Sequence, residues 1–226
     1  MIKRPCLLIF GHGYTANAFV DYIRNIDWEI FGTTRNPQTA DLLIKKGVKP
    51  LMWSDGSKIK SVINQSDYIL HSIPPTEIGD PVYKRFSKAI ISRSKNLSWF
   101  GYLSTTSVYG NHDGKWVDEN IPVNPSSNRG LLRVRAENNW SRIKDLPLHI
   151  FRLAGIYGPN RSPLDKIRSG KAQLISKPGQ FFSRIHVEDI ARVLKASIEM
   201  PNHGSVYNVC DDMPAAPDEV LGYAAK

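Results

Sequence analysis

IFGHGYTANAF, residues 9–19, places Gly11, Gly13 and Ala16 in the pattern G-x-G-x-x-A. The stretch closes a short apolar run, CLLIF at Cys6–Phe10, and opens a segment of helical periodicity at residues 14–24. A strand-to-helix turn is the setting in which those glycines acquire chemical meaning. Gly11 permits the tight turn, Gly13 lets backbone approach a pyrophosphate, and the small Ala16 lets helix and strand pack closely. The N–H groups of His12, Gly13, Tyr14 and Thr15 are then available to phosphates at the positive end of a helix.

Outward from this turn, short apolar runs alternate with amphipathic segments. Strands are expected at residues 28–34, 48–53, 67–73 and 97–105, with helices at 37–46, up to 64, and at 81–94. Pro37 suits a first helical turn and Gly47 the position just past a helix end. Strands alternating with helices predict an α/β fold, a doubly wound parallel sheet of the Rossmann type covered on both faces. A polar loop at residues 109–125 breaks the rhythm. The helix carrying NRGLLRVRAE (residues 128–137) and the strand LHIFRL (Leu148–Leu153) follow it. Beyond Gly158 the elements are shorter and set apart by Gly and Pro. The expected division is a dinucleotide-binding domain at 1–159 and a smaller region with returning strands at 160–226.

The 226 residues are 41% hydrophobic and 23% charged, an ordinary globular composition that allows one substantial core. Thirty Lys and Arg against 21 Asp and Glu give +9, which favours anionic partners. The basic residues are scattered, however, and no helix-turn-helix, zinc spacing or aromatic RNA-binding motif accompanies them, so nucleic acid is not expected. No apolar run spans a bilayer, and no signal segment follows MIKRP. The two cysteines, Cys6 and Cys210, form neither a framework nor a metal spacing, which suits a reducing cytoplasm. No metal site is expected.

Cofactor type is read at the end of the second strand. An NAD site usually carries Asp or Glu there for the ribose 2′-hydroxyl. Here stand Thr33, Thr34 and Arg35, while Glu29 lies too early. A hydroxyl followed by a guanidinium suits a 2′-phosphate, so NADP is favoured over NAD.

LSTTSVYG (residues 103–110), DEN (118–120), PSSNRGLLRVRAE (125–137), RLAGIYGP (152–159) and FSRIHVEDIARVL (182–194) together resemble the extended short-chain dehydrogenases/reductases, the family of nucleotide-sugar epimerases and dehydratases. The resemblance runs from about residue 7 to 209. It implies that Thr105 orients the substrate oxygen. It also implies a Tyr that exchanges the proton, and a Lys four residues later that holds the nicotinamide ribose. The family pattern Y-G-x-S-K-x-x-A-E falls on R-G-L-L-R-V-R-A-E, with Gly130, Ala136 and Glu137 holding the register. Arg129 therefore stands at the Tyr position and Arg133 at the Lys position. A guanidinium stays protonated, so Arg129 cannot serve as general acid or base, although it can stabilise an oxyanion. Arg133 can still hold ribose or phosphate.

The resemblance further places Ser72 and Pro74 on the cofactor pocket, Asp55 at adenine, and Ala154 and Gly155 beside the nicotinamide. Tyr109, Tyr157 and His186 border its cleft and are candidate substrate residues and proton donors. Family members continue past DDMPAAPDEVLGYAAK with more of a substrate lobe, so a short or truncated lobe is expected. Two functions fit: an NADP-dependent oxidoreductase or epimerase/dehydratase-like enzyme with a non-standard proton donor, and an inactive NADP-binding redox sensor. A nucleic-acid-binding role is the remote third. The expected partner is a small, anionic substrate, with no membrane; an oligomer is compatible with the sequence.

Overall fold

A computed structural model describes residues 4–170, 179 and 181–225. The first half alternates as the periodicity dictates: β1 (Cys6–Phe10), α1 (Tyr14–Ile23), β2 (Glu29–Thr34), α2 (Pro37–Lys45), β3 (Lys49–Met52), α3 (Gly56–Gln65), β4 (Tyr68–His71), α4 (Pro81–Arg93) and β5 (Trp99–Thr105). After the long loop come α5 (Asn128–Ser141), β6 (Leu148–Leu153), β7 (Gly155–Tyr157), α6 (Pro163–Arg168), β8 (Arg184–His186), α7 (Val187–Glu199), β9 (Ser205–Val209) and α8 (Pro217–Ala224). Short polar side chains start the helices: Asn36 caps α2, Asp55 caps α3 and Ser127 caps α5.

Seven strands form one parallel sheet in the order β3-β2-β1-β4-β5-β6-β9, and β7 pairs with β8 in a separate two-stranded ribbon. The alternation of side chains along β1 builds both faces. Cys6, Leu8 and Phe10 join Ile63, Phe86 and Trp140 on the side of α3, α4 and α5. Leu7 and Ile9 join Phe19, Leu43 and Leu194 on the side of α1, α2 and α7. This is the doubly wound α/β architecture. Residues after 159 return α7 to one face of the sheet and β9 to its edge.

Asp80 pins three elements at once. It caps α4 through the Val82 and Tyr83 N–H groups, meets His71 Nε2 at 2.8 Å and accepts from Trp140 Nε1 at 2.8 Å. Strand order reverses between β1 and β4, and such a switch point opens a crevice at the carboxyl ends of the strands. Ser72 N–H donates to the Phe10 carbonyl at 2.9 Å, holding the two strand ends together there. Among the described residues, no helix is long and apolar enough to cross a membrane, and no group of three His, Cys, Asp or Glu could hold a metal ion.

Candidate active site

The glycine turn lies at that switch point. Gly11 adopts φ +80°, and a Cβ there would lie 2.6 Å from Ile73 Cγ1, so only glycine fits. Its N–H donates to Thr33 Oγ1 at 2.8 Å, tying the turn to β2. At Gly13 an added Cβ would meet nothing within 4 Å. No side chain caps α1, and no acidic residue occupies its first turn. Backbone N–H groups thus face open space at a helix start, an arrangement that fits the diphosphate of a dinucleotide. Ala16 is fully buried, as close packing of α1 on β1 requires. The His12 ring turns instead toward Gly32 of β2, and neither ring nitrogen has a hydrogen-bond partner. Burial, reinforced by Lys46, lowers its pKa to about 4, so the ring is neutral.

At the end of β2, Thr34 Oγ1 accepts from the Asn36 N–H at 3.1 Å, and Arg35 is exposed with no ion pair among the described residues. Asp55 accepts from the Lys58 N–H at 3.0 Å and from Ser57 Oγ at 2.9 Å through Oδ1, and these bonds hold its carboxyl below the usual range. Thr34, Arg35 and Asp55 thus sit at the ends of β2 and β3, the side on which an adenosine would lie. Pro74 is exposed just past β4.

A cleft of about 1630 Å³ runs from the glycine turn across the ends of β5 and β6. It brings together Thr15, Ser72, Thr105, Tyr109, Arg129, Arg133, Ala154, Gly155 and Tyr157. The two arginines of α5 part company within it. Arg129 is exposed, with no ion pair among the described residues. Arg133 is 8% exposed and donates through Nη1 to the Leu103 carbonyl and to Tyr102 Oη, with its guanidinium carbon 5.7 Å from the Tyr102 ring centroid. Thr105 Oγ1 accepts from the Ser107 N–H at 3.3 Å.

Tyr109 Oη donates to Asn208 Oδ1 at 2.8 Å and accepts from Arg152 Nη1 at 2.8 Å. His186 is the cap of α7, its Nδ1 accepting from the Glu188 N–H at 3.4 Å, and its ring meets Tyr157 edge-on. Burial, followed by a hydrogen bond to Asp211, pushes the Tyr157 phenol up, so it holds its proton.

Sequence reasoning did not assign the polar scaffold beneath this cleft. Arg152 of β6 grips both carboxylate oxygens of Glu137 on α5, at 2.8 and 3.3 Å, and Ser104 of β5 donates to the same carboxylate. Glu119 accepts from the Asn208 N–H at 2.6 Å, fastening the long loop to β9. Glu137 stood in the sequence only as a register mark. Its helical position facing the sheet was the one available signal.

Residues 7–210 match the family described as NAD dependent epimerase/dehydratase. The chain belongs to that family. This NAD dependent epimerase/dehydratase member is 33% identical to Protein YeeZ of Escherichia coli strain K12, over an alignment taking in 95% of this chain and 80% of that protein. A solved protein from Silicibacter pomeroyi, titled a functionally unknown conserved protein, is 47% identical with a TM-score of 0.90, covering 98% of this chain and 77% of that one. The dTDP-glucose 4,6-dehydratase of Bacillus anthracis, solved in complex with NAD, shares the fold at 18% identity and a TM-score of 0.80, covering 97% of this chain and 80% of its own. The family member thus shares the fold of the epimerase/dehydratase group.

Proposed function

We propose that this chain binds NAD(P), with NADP preferred, and acts as an oxidoreductase or epimerase/dehydratase-like enzyme on a small anionic molecule. The observation that carries the reading is the continuous cleft from Thr15 and Ser72 at the glycine turn to Thr105 and Arg129. A bound dinucleotide supplies hydride acceptance or donation at its nicotinamide. The residues at 11–16 would hold its diphosphate, and Thr34 with the exposed Arg35 its 2′-phosphate. Arg129, exposed and with no ion pair among the described residues, offers a cation to a substrate anion or a developing oxyanion. Thr105 would orient the reacting oxygen once its bond to Ser107 is exchanged for one to substrate.

The proton must come from another group. Tyr109 spends its hydroxyl on Arg152 and Asn208, and His186 spends Nδ1 on its helix. Tyr157 lines the cleft and is the donor this reading assigns, once the bond of its hydroxyl to Asp211 is exchanged for one to substrate. The scattered charge and a cysteine pattern with neither a framework nor a metal spacing support a cytoplasmic protein that engages small molecules rather than nucleic acid.

The test is a titration with NADPH and with NADH, followed by cofactor fluorescence. NADPH should bind more tightly, and Arg35→Ala should erase the difference. Binding of neither cofactor sinks the reading. A second reading, an NADP-binding sensor without turnover, draws support from Arg133, whose Nη1 is committed to β5. It predicts equal NADPH binding with no consumption on any carbonyl screen, and no change in binding for Tyr157→Phe.

A further inference from the structure

The turn after β7 carries an arginine that the sequence did not single out. The Gly158 N–H donates to the Arg161 carbonyl at 3.3 Å, and the Arg161 N–H returns a bond to the Gly158 carbonyl at 3.0 Å. Pro159 and Asn160, the latter at φ +60°, fill the turn between them. Gly158 leaves no room for a side chain: a Cβ would lie 2.6 Å from Tyr14 Oη and 3.2 Å from His186 Nε2. Tyr14 in turn donates its hydroxyl to the Pro159 carbonyl at 3.0 Å. The turn is therefore closed on itself and bolted to the first residue of α1.

On that platform the Arg161 guanidinium lies over the Tyr14 ring, 5.4 Å from its centroid. Arg161 is exposed, forms no ion pair among the described residues, and lines the cleft together with Thr15. A guanidinium resting on an aromatic face keeps its N–H fork directed outward, the geometry that takes two oxygens of a phosphate. Tyr14 is thus shared. Its backbone belongs to the glycine turn, and its ring carries a cation from the turn after β7.

We propose that Arg161 is a cofactor-binding residue, a cation held beside the glycine turn that binds the dinucleotide diphosphate together with the backbone N–H groups of that turn. This rests on the NAD(P) reading above. Because the diphosphate is common to NAD and NADP, Arg161 contributes equally to both, whereas Arg35 discriminates between them.

The test measures Kd for NADPH, NADH and adenosine 2′-monophosphate, which has neither phosphate of the diphosphate, on the full chain. Arg161→Ala should weaken both dinucleotides about tenfold and leave the 2′-monophosphate unchanged. Arg161→Lys, which keeps the charge without the fork, should fall between, and Tyr14→Phe should weaken both dinucleotides to a smaller extent. Thermal melting confirms that each variant folds. Unchanged dinucleotide affinities in Arg161→Ala overturn the proposal, as does a loss confined to NADPH or an equal loss with the 2′-monophosphate. If the unmodified chain binds neither dinucleotide, the NAD(P) reading itself fails. If it binds them and Arg161→Ala changes nothing, only the role of Arg161 fails.

Discussion

Arg133 donates its Nη1 to the carbonyl of Leu103, so the guanidinium one turn along α5 from Arg129 belongs to the sheet as much as to the cleft. Two arginines four residues apart on one helix therefore have different work. Arg133 stitches α5 to β5 and covers the buried Tyr102, while Arg129 is exposed with no ion pair among the described residues.

Their stabilities should separate accordingly. Arg133→Ala leaves a buried carbonyl and the Tyr102 hydroxyl without their donor, and should cost about 2–3 kcal/mol. Arg129→Ala should stay within about 0.5 kcal/mol. Urea midpoints at constant slope measure both, and equal losses would contradict the division of roles.

The Glu137–Arg152 pair is nearly dry, with side chains 7% and 8% exposed. Removing one partner strands the other charge, so Glu137→Ala should destabilise by about 3–5 kcal/mol and Glu137→Gln by less. Differential scanning calorimetry of the two variants decides this, with a loss under about 1 kcal/mol for Glu137→Ala counting against a buried ion pair.

The two glycines of the turn fail in opposite ways. Gly11→Ala meets Ile73 and a left-handed φ, and should cost about 1–3 kcal/mol of stability. Gly13→Val has an ordinary φ of −92° and open space around it, so the fold should hold while its bulk blocks the diphosphate. Melting temperature and NADPH affinity together should show stability lost at position 11, and binding lost with stability kept at position 13.

Acid should weaken the fold before the carboxylates titrate. Burial lowers the pKa of His12 and of His149 from the usual 6.5 to about 4, with Lys46 adding to the first effect and His203 to the second. The unfolded chain therefore binds more protons than the folded one between about pH 4 and 6.5. Stability from these groups is complete above that window and falls as pH drops through it, by up to ~1.4 kcal/mol per pH unit for each imidazole. His12→Leu should flatten the slope of stability against pH between 6.5 and 4.5. An unchanged slope would mean that His12 is not the proton-linked group.

Residues 9–19 and the alternation around them determined the fold, because strand, turn and helix are written in periods of a few residues that need no distant partner. Gly11, Gly13 and Ala16 were legible for that reason, and so was the absence of a carboxylate after Thr34. The fates of Arg129 and Arg133 were not, since their spacing places them on one face and says nothing of which meets a carbonyl. Glu137 and Arg152 meet only because β5, β6 and α5 stack. Tyr14 reaches Pro159 across 145 residues of chain. Such pairings depend on the sheet order and on which polar groups burial leaves in need of a partner, and only the tertiary structure decides those.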